Sequence, residues 1–227
     1  PSSTYYLDAN AYLIGTFDAV SGYDSEFVGR GIISSEQYPR SFILDLKNNI
    51  NSQAASLYAG IGMSVSSQWG SHWGNQHDTI GLTIDGIVLT NAGYFTNERT
   101  VIKSVNNCKT ISPWTYNSDG WKVMPQRLHE MCKVTNTIAL CGDDTLNPFG
   151  VNWQGPTYVR NFFSVPYRSA VVAAYYGGGL DHKVVIKDVD VLAYQFSGHA
   201  PASQADITRF EGGGLVTIYN DYDDDKT

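Results

Sequence analysis

The chain has 227 residues, with 15 Lys and Arg against 22 Asp and Glu and a formal net charge of -7. Its basic residues are scattered, whereas binding to a phosphate backbone needs clustered cations that release counterions, so nucleic acid is not an expected partner. With 42% hydrophobic and 16% charged residues the chain has the composition of a globular protein, and no apolar run approaches the ~20 residues of a membrane-crossing helix.

The opening PSSTYYLDANAYLIGTF lacks the basic start and apolar centre of a signal peptide. A soluble chain without membrane insertion is expected, and Pro1 fits an excised initiator Met, a cleaved precursor or a fragment boundary equally well. From there the pattern is β-like. Short runs rich in Val, Ile, Tyr, Phe and Thr are separated by polar turns, with 22 Gly spread among them. In chain order the predicted strands are AYLIGTFDAV, FVGRGIIS, SFILDLKN, SLYAGIGMSV, DTIGLTIDGIVLT, TVIKSV, TIALCG, TYVRNFFSV, SAVVAAYY, KVVIKDVDVLAYQF and GLVTIYND. Many short strands of this kind predict an antiparallel sandwich or barrel rather than a βαβ fold.

Two helices are expected. One covers residues 125–133, PQRLHEMCK, with Pro125 suited to the first turn. The other starts at Pro201, continues through ASQADITRF and stops at Gly212 to Gly214. Between them, residues 184–194 alternate: Val185, Lys187, Val189, Val191 and Ala193 share one face, and Val184, Ile186, Asp188, Asp190, Leu192 and Tyr194 the other. Neither face is wholly apolar, which suits a curved sheet whose concave side meets solvent or ligand.

Three cysteines, Cys108, Cys132 and Cys141, permit at most one internal disulfide, for which Cys132 with Cys141 is the candidate pair. Their spacings fit no zinc pattern, and they read mainly as small buried hydrophobes. The sequence has no Asn-x-Ser/Thr sequon, which favours a prokaryotic, phage or intracellularly assembled protein.

The segment GGGLDHKVVIKDVDVLAYQFSGHAPASQADITRF resembles the last strand and trailing helix of laminin-G-like domains in the concanavalin A-like lectin/glucanase superfamily, through Ile186, Asp188, Val189, Val191, Ser203, Asp206 and Ile207. FVGRGIISSEQYPRSFILDLKNN is similar to that family's early strand pair. The likeness covers about a third of the chain and implies a two-sheet jelly roll, but it departs at CKTISPWTYNSDGWKVMPQRLHEMCK, which would be an insertion, and at the family's WHHVA strand, which has no counterpart.

Catalytic signatures are weak. No G-x-S-x-G elbow occurs, and Asp188 with Asp190, two apart on one strand, is the nearest approach to a glycosidase carboxylate pair, with no third partner. No catalytic residue is assigned. Binding reads better. In SSQWGSHWGNQHD, Trp69, His72, Trp73, Asn75 and His77 lie among Gly, Ser and Gln. An aromatic face that covers the apolar side of a pyranose, next to amides that bond its hydroxyls, is what sugar recognition uses; plugging one end of a sandwich is the structural alternative. Trp114, Tyr116 and Trp121 surround an NSDG turn, and Trp153 and Tyr158 form a third aromatic group. Asp143, Asp144 and Asn147, in CGDDTLNPFG, could supply oxygen ligands to Ca2+ or serve only as turn residues.

The expected protein is therefore a single all-β domain over residues 1–220, an antiparallel two-sheet jelly-roll sandwich with one or two short helices, and an acidic tail over 221–227. Its expected role is that of a non-enzymatic recognition module for a glycan or host receptor on a virion or extracellular surface. The alternatives are a virion or assembly protein, forming a homo-oligomer through its aromatic loops, and a glycoside hydrolase on the same sandwich.

Overall fold

A strand that alternates inward and outward residues buries one face only by meeting other such faces. In the computed structural model, which describes residues 3–14, 22–34, 79–90, 100–112, 120–123, 131–142, 145–151, 156–166, 172–177, 184–192 and 216–219, the strands meet by winding into a β-solenoid. Coil one holds β1 (Thr4–Leu7) and β2 (Tyr12–Ile14). Coil two holds β3 (Gly22–Tyr23), β4 (Glu26–Gly29) and β5 (Ile32–Ser34). Coil three holds β6 (Thr79–Asp85) and β7 (Val88–Thr90). Coil four holds β8 (Thr100–Asn106), β9 (Lys109–Ser112) and β10 (Trp121–Val123). Coils five, six and seven each pair a long strand with a shorter one: β11 (Cys132–Cys141) with β12 (Leu146–Val151), β13 (Thr157–Pro166) with β14 (Val172–Gly177), and β15 (Val184–Val191) with β16 (Val216–Tyr219).

Every pairing among these strands is parallel. The larger sheet runs β1-β4-β6-β8-β11 up a first face and returns β11-β9-β7-β5-β2 down a second, because β11 spans both; β10, β12, β14 and β16 form a third face. This corrects the expected antiparallel sandwich, and with it the jelly roll implied by the laminin-G-like resemblance. A sandwich strand and a solenoid strand carry the same alternation, and alternation does not record the direction of the neighbouring strand. Here the rest of each coil supplies the long crossover that parallel strands require.

The core is built of columns. Along the first face, Tyr5, Phe27, Ile84, Val105, Val134, Val159 and Ile186 stack one above another, one from each coil. The five middle members are buried, and Tyr5 and Ile186 at the two ends are only partly covered. The second face stacks Leu13, Ile33, Leu89, Thr110, Ala139, Ser164 and Val191. Its members shrink in coils four to six, where the core gains the fully buried Trp121 of the third face. The buried Ser164 hydroxyl is satisfied at 2.6 Å by that of Thr145. Each fully buried Val, Ile or Phe stabilises the column by about 1.5–3 kcal/mol relative to exposure.

The first and second faces meet at a corner, where one residue of nearly every coil is left-handed: Gly86 (φ 83), Asn107 (φ 54), Asn136 (φ 52), Asn161 (φ 51) and Asp188 (φ 52), with Gly29 (φ 141) at the equivalent place in coil two. Gly, Asn and Asp are the residues that visit this region cheaply. A Cβ on Gly86 would run into the carbonyl oxygen of Gly29 and the guanidinium of Arg30. The left-handed residue also shifts the alternation by one. In β15 both Ile186 and Val189 belong to the core columns, continuing Val159 and Phe162. Asp188 and Asp190 therefore do not share a face, contrary to the simple alternation expected for this strand.

The predicted helix over 125–133 is also corrected at its end, because Cys132 and Lys133 open β11, with Cys132 and Val134 buried at the two-residue period. The helix predicted from Pro201 and the strands SFILDLKN and SLYAGIGMSV lie outside the described residues. Cys108, Cys132 and Cys141 are buried free thiols, as expected of small hydrophobes. The candidate bridge is corrected: Cys132 and Cys141 stand at opposite ends of β11, beyond disulfide reach. Burial pushes the Cys108 thiol up to about 11 and that of Cys132 up to about 12.

Candidate functional site: the polar corner ladder

The outer edge of the corner carries a continuous run of hydrogen bonds. Arg30 donates to Asp85 at 3.2 Å, and Asn106 and Asn107 donate to the two oxygens of the same carboxylate at 2.9 and 3.3 Å. Asn106 Oδ1 then accepts from Thr135 Oγ1 at 2.8 Å and from Asn136 Nδ2 at 2.9 Å, and Asn136 Oδ1 accepts from Asn161 Nδ2 at 2.8 Å. Asn106 and Asn136 both give and receive, so the ladder ties coil two through to coil six. Burial raises the affinity of the Asp85 carboxyl for a proton, but the hydrogen bonds from Asn106, Asn107 and Arg30 and the charge of Arg30 outweigh it and hold the carboxyl below its ordinary value.

In coils five to seven the ladder borders an open concavity of about 560 Å³ lined by Thr135, Asn136, Tyr158, Arg160, Asn161 and Asp188. Tyr158 and Arg160, two apart on β13, project from the same outward side. Arg160 Nε donates to Asp188 Oδ2 at 3.0 Å. This pair is mostly exposed and screened by solvent, so its value is positional. The concavity offers one half-buried aromatic ring, two amides, a hydroxyl, a guanidinium and a carboxylate, a set suited to holding a neutral polyhydroxylated molecule.

No protein-family model matches the chain, and no curated protein matches it. The site therefore rests on its own geometry.

Of the residues singled out in the sequence, Trp69, His72, Trp73, Asn75, His77, Trp114, Tyr116, Asp143, Asp144 and Trp153 lie outside the described residues. Trp121 is placed, and it is an interior residue: its indole is fully buried and its Nε1 has no hydrogen-bond partner. It presents no ring face to solvent, which corrects its assignment to a ligand surface; the turn residues around it masked an inward position of β10. Asn147 lies within β12, beside Lys122 of β10. Among the described residues, no group of three or more His, Cys, Asp or Glu could hold a metal ion. Among the described residues, Tyr158 is the one expected aromatic that lines the concavity.

The ladder residues themselves were not anticipated, although a signal exists. The triplets Val105-Asn106-Asn107, Val134-Thr135-Asn136, Val159-Arg160-Asn161 and Ile186-Lys187-Asp188 repeat the order core residue, outward polar residue, left-handed corner, and Ile84-Asp85-Gly86 is a fifth instance with glycine at the corner.

Proposed function

We propose that the protein is a non-enzymatic surface recognition module that binds a glycan along the polar corner of its solenoid. The observation that carries this reading is the concavity itself, where the Tyr158 ring stands beside the Asn136 and Asn161 amides and the Arg160–Asp188 pair. An aromatic face covers the C–H side of a pyranose while amides and charged groups bond its hydroxyls. Stacked coils present such groups at regular intervals, which suits an extended chain of sugar units. The described lining has a single carboxylate, Asp188, already engaged by Arg160, whereas glycoside hydrolysis uses two; this supports binding over hydrolysis.

The test is a glycan-array screen of the chain with and without Ca2+, followed by titration of any hit against Tyr158→Ala and Arg160→Ala. Both substitutions are expected to weaken binding at least tenfold, about 1.4 kcal/mol each, with unchanged melting temperature. Binding that survives both changes, or a folded chain that binds nothing on the array, would overturn the reading.

A further inference from the structure

The second face has an outward pattern of its own. One outward column runs Tyr12, Ile32, Val88, Lys109, Ile138, Phe163 and Asp190, one residue from each coil, with Ile32 and Val88 half-buried. Tyr12 is 49% exposed, Ile138 37% and Phe163 38%, and Leu192, which follows the buried column, is 54% exposed. The matching outward column of the first face carries Thr4, Glu26, Thr83, Ser104 and Lys133 in coils one to five, and the half-buried Tyr158 and Val185 in coils six and seven. Exposed apolar side chains aligned along one face mark an association site.

The two charges in this column identify the occupant. Lys109 and Asp190 flank the apolar pair Ile138 and Phe163 symmetrically, one coil beyond it on each side. A two-fold axis lying along the strand direction, midway between coils five and six, maps coil five onto coil six and coil four onto coil seven. In that arrangement Ile138 meets the partner's Phe163, and Lys109 meets the partner's Asp190. A two-fold axis parallel to the solenoid and centred on this column would instead set Lys109 against Lys109 and Asp190 against Asp190 on an apolar strip, which is unfavourable. We propose that the second face is a self-association surface on which two copies of the chain pack with their solenoids antiparallel, through Ile138, Phe163, Lys109 and Asp190. The proposal stands independently of the glycan reading, which concerns the corner between the faces.

Four overlapping coils, each ~4.8 Å deep, cover less than the ~800 Å² per partner of a standard interface, so the dimer is weak and reversible. Sedimentation velocity over a broad concentration range, on the whole chain at low ionic strength, is expected to show a mass rising from 25.0 kDa toward twice that value. Asp190→Lys should shift the association to about tenfold higher concentration, and Lys109→Asp added to it should restore the original midpoint, with all variants melting like the parent. A chain that stays monomeric at the highest concentration overturns the proposal. A double variant no better than the single one, or an oligomer indifferent to both charges, overturns the antiparallel pairing. Hydroxyl-radical footprinting of the Phe163 ring supplies a further check. Protection of that ring that grows with concentration supports the dimer, and full protection already at the lowest concentration shows that the chain covers this face itself and overturns it.

Discussion

Asn161 hands a side-chain N–H to Oδ1 of Asn136 at 2.8 Å, and both residues sit in the left-handed region at the same corner of adjacent coils. One residue type thus meets two demands, a backbone conformation that most side chains resist and a side chain that bonds the next coil. The demands can be separated. Asn161→Ala should cost about 2 kcal/mol, combining a lost hydrogen bond with left-handed strain, whereas Asn161→Gly should cost about half of that because the strain is relieved. Urea unfolding of the two variants measures the difference, and equal losses would mean that the backbone conformation contributes nothing.

The charged end of the ladder predicts a pH dependence. The Asp85 carboxyl is held below its ordinary value near 3.8 in the folded chain, so its contribution is complete above that value and disappears as pH falls through the lower, folded one. The stability gap between the parent and Asp85→Asn should be constant near neutral pH and close as pH falls below the ordinary value near 3.8. Thermal melts across that range test it.

At Gly86 the loss is steric. Any Cβ there meets the Gly29 carbonyl and the Arg30 guanidinium, and φ is 83. Gly86→Ala should therefore destabilise by about 1–3 kcal/mol, more than an Ala placed at an exposed site in β2, as read by chemical denaturation.

Trp121 fills the core where the second-face column is small. Trp121→Ala should cost about 3–5 kcal/mol and leave any glycan affinity measured on folded protein unchanged, since the indole is buried. Calorimetry and binding titration report the two effects separately.

Buried thiols make a fifth measurable property. With Cys108 pushed up to about 11 and Cys132 to about 12, both are protonated at neutral pH and closed to solvent. Thiol-exchange reagents should leave them unmodified in the native chain and react once denaturant opens it.

The all-β character and the burial of the cysteines were legible in the sequence, because β-branched and aromatic runs with polar turns have few other outcomes. Winding was not. The corners from Gly86 to Asp188 recur at uneven intervals of roughly 20–30 residues, so no fixed period announces a repeat. At Asp188 a single left-handed residue shifted the phase of a strand whose alternation otherwise read cleanly, and it separated two carboxylates that plain alternation puts together. Trp121 was misread for a related reason: the NSDG before it has the composition of a turn, while the inward position of Trp121 is visible only once β12 lies beside it. Tyr158 was recognised as an aromatic of interest, but its partners come from β11 and β15, far away in sequence.

Coils two and three pair residue for residue, Phe27 with Ile84 and Val28 with Asp85, although residues 35–78 lie between them. Closing a longer excursion costs only the slow logarithm of polymer entropy, about 0.6 kcal/mol for each doubling in length. Coils two and three, held by their columns and by the Arg30–Asp85 contact, thus keep one register across a span of sequence whose length weighs little on their pairing.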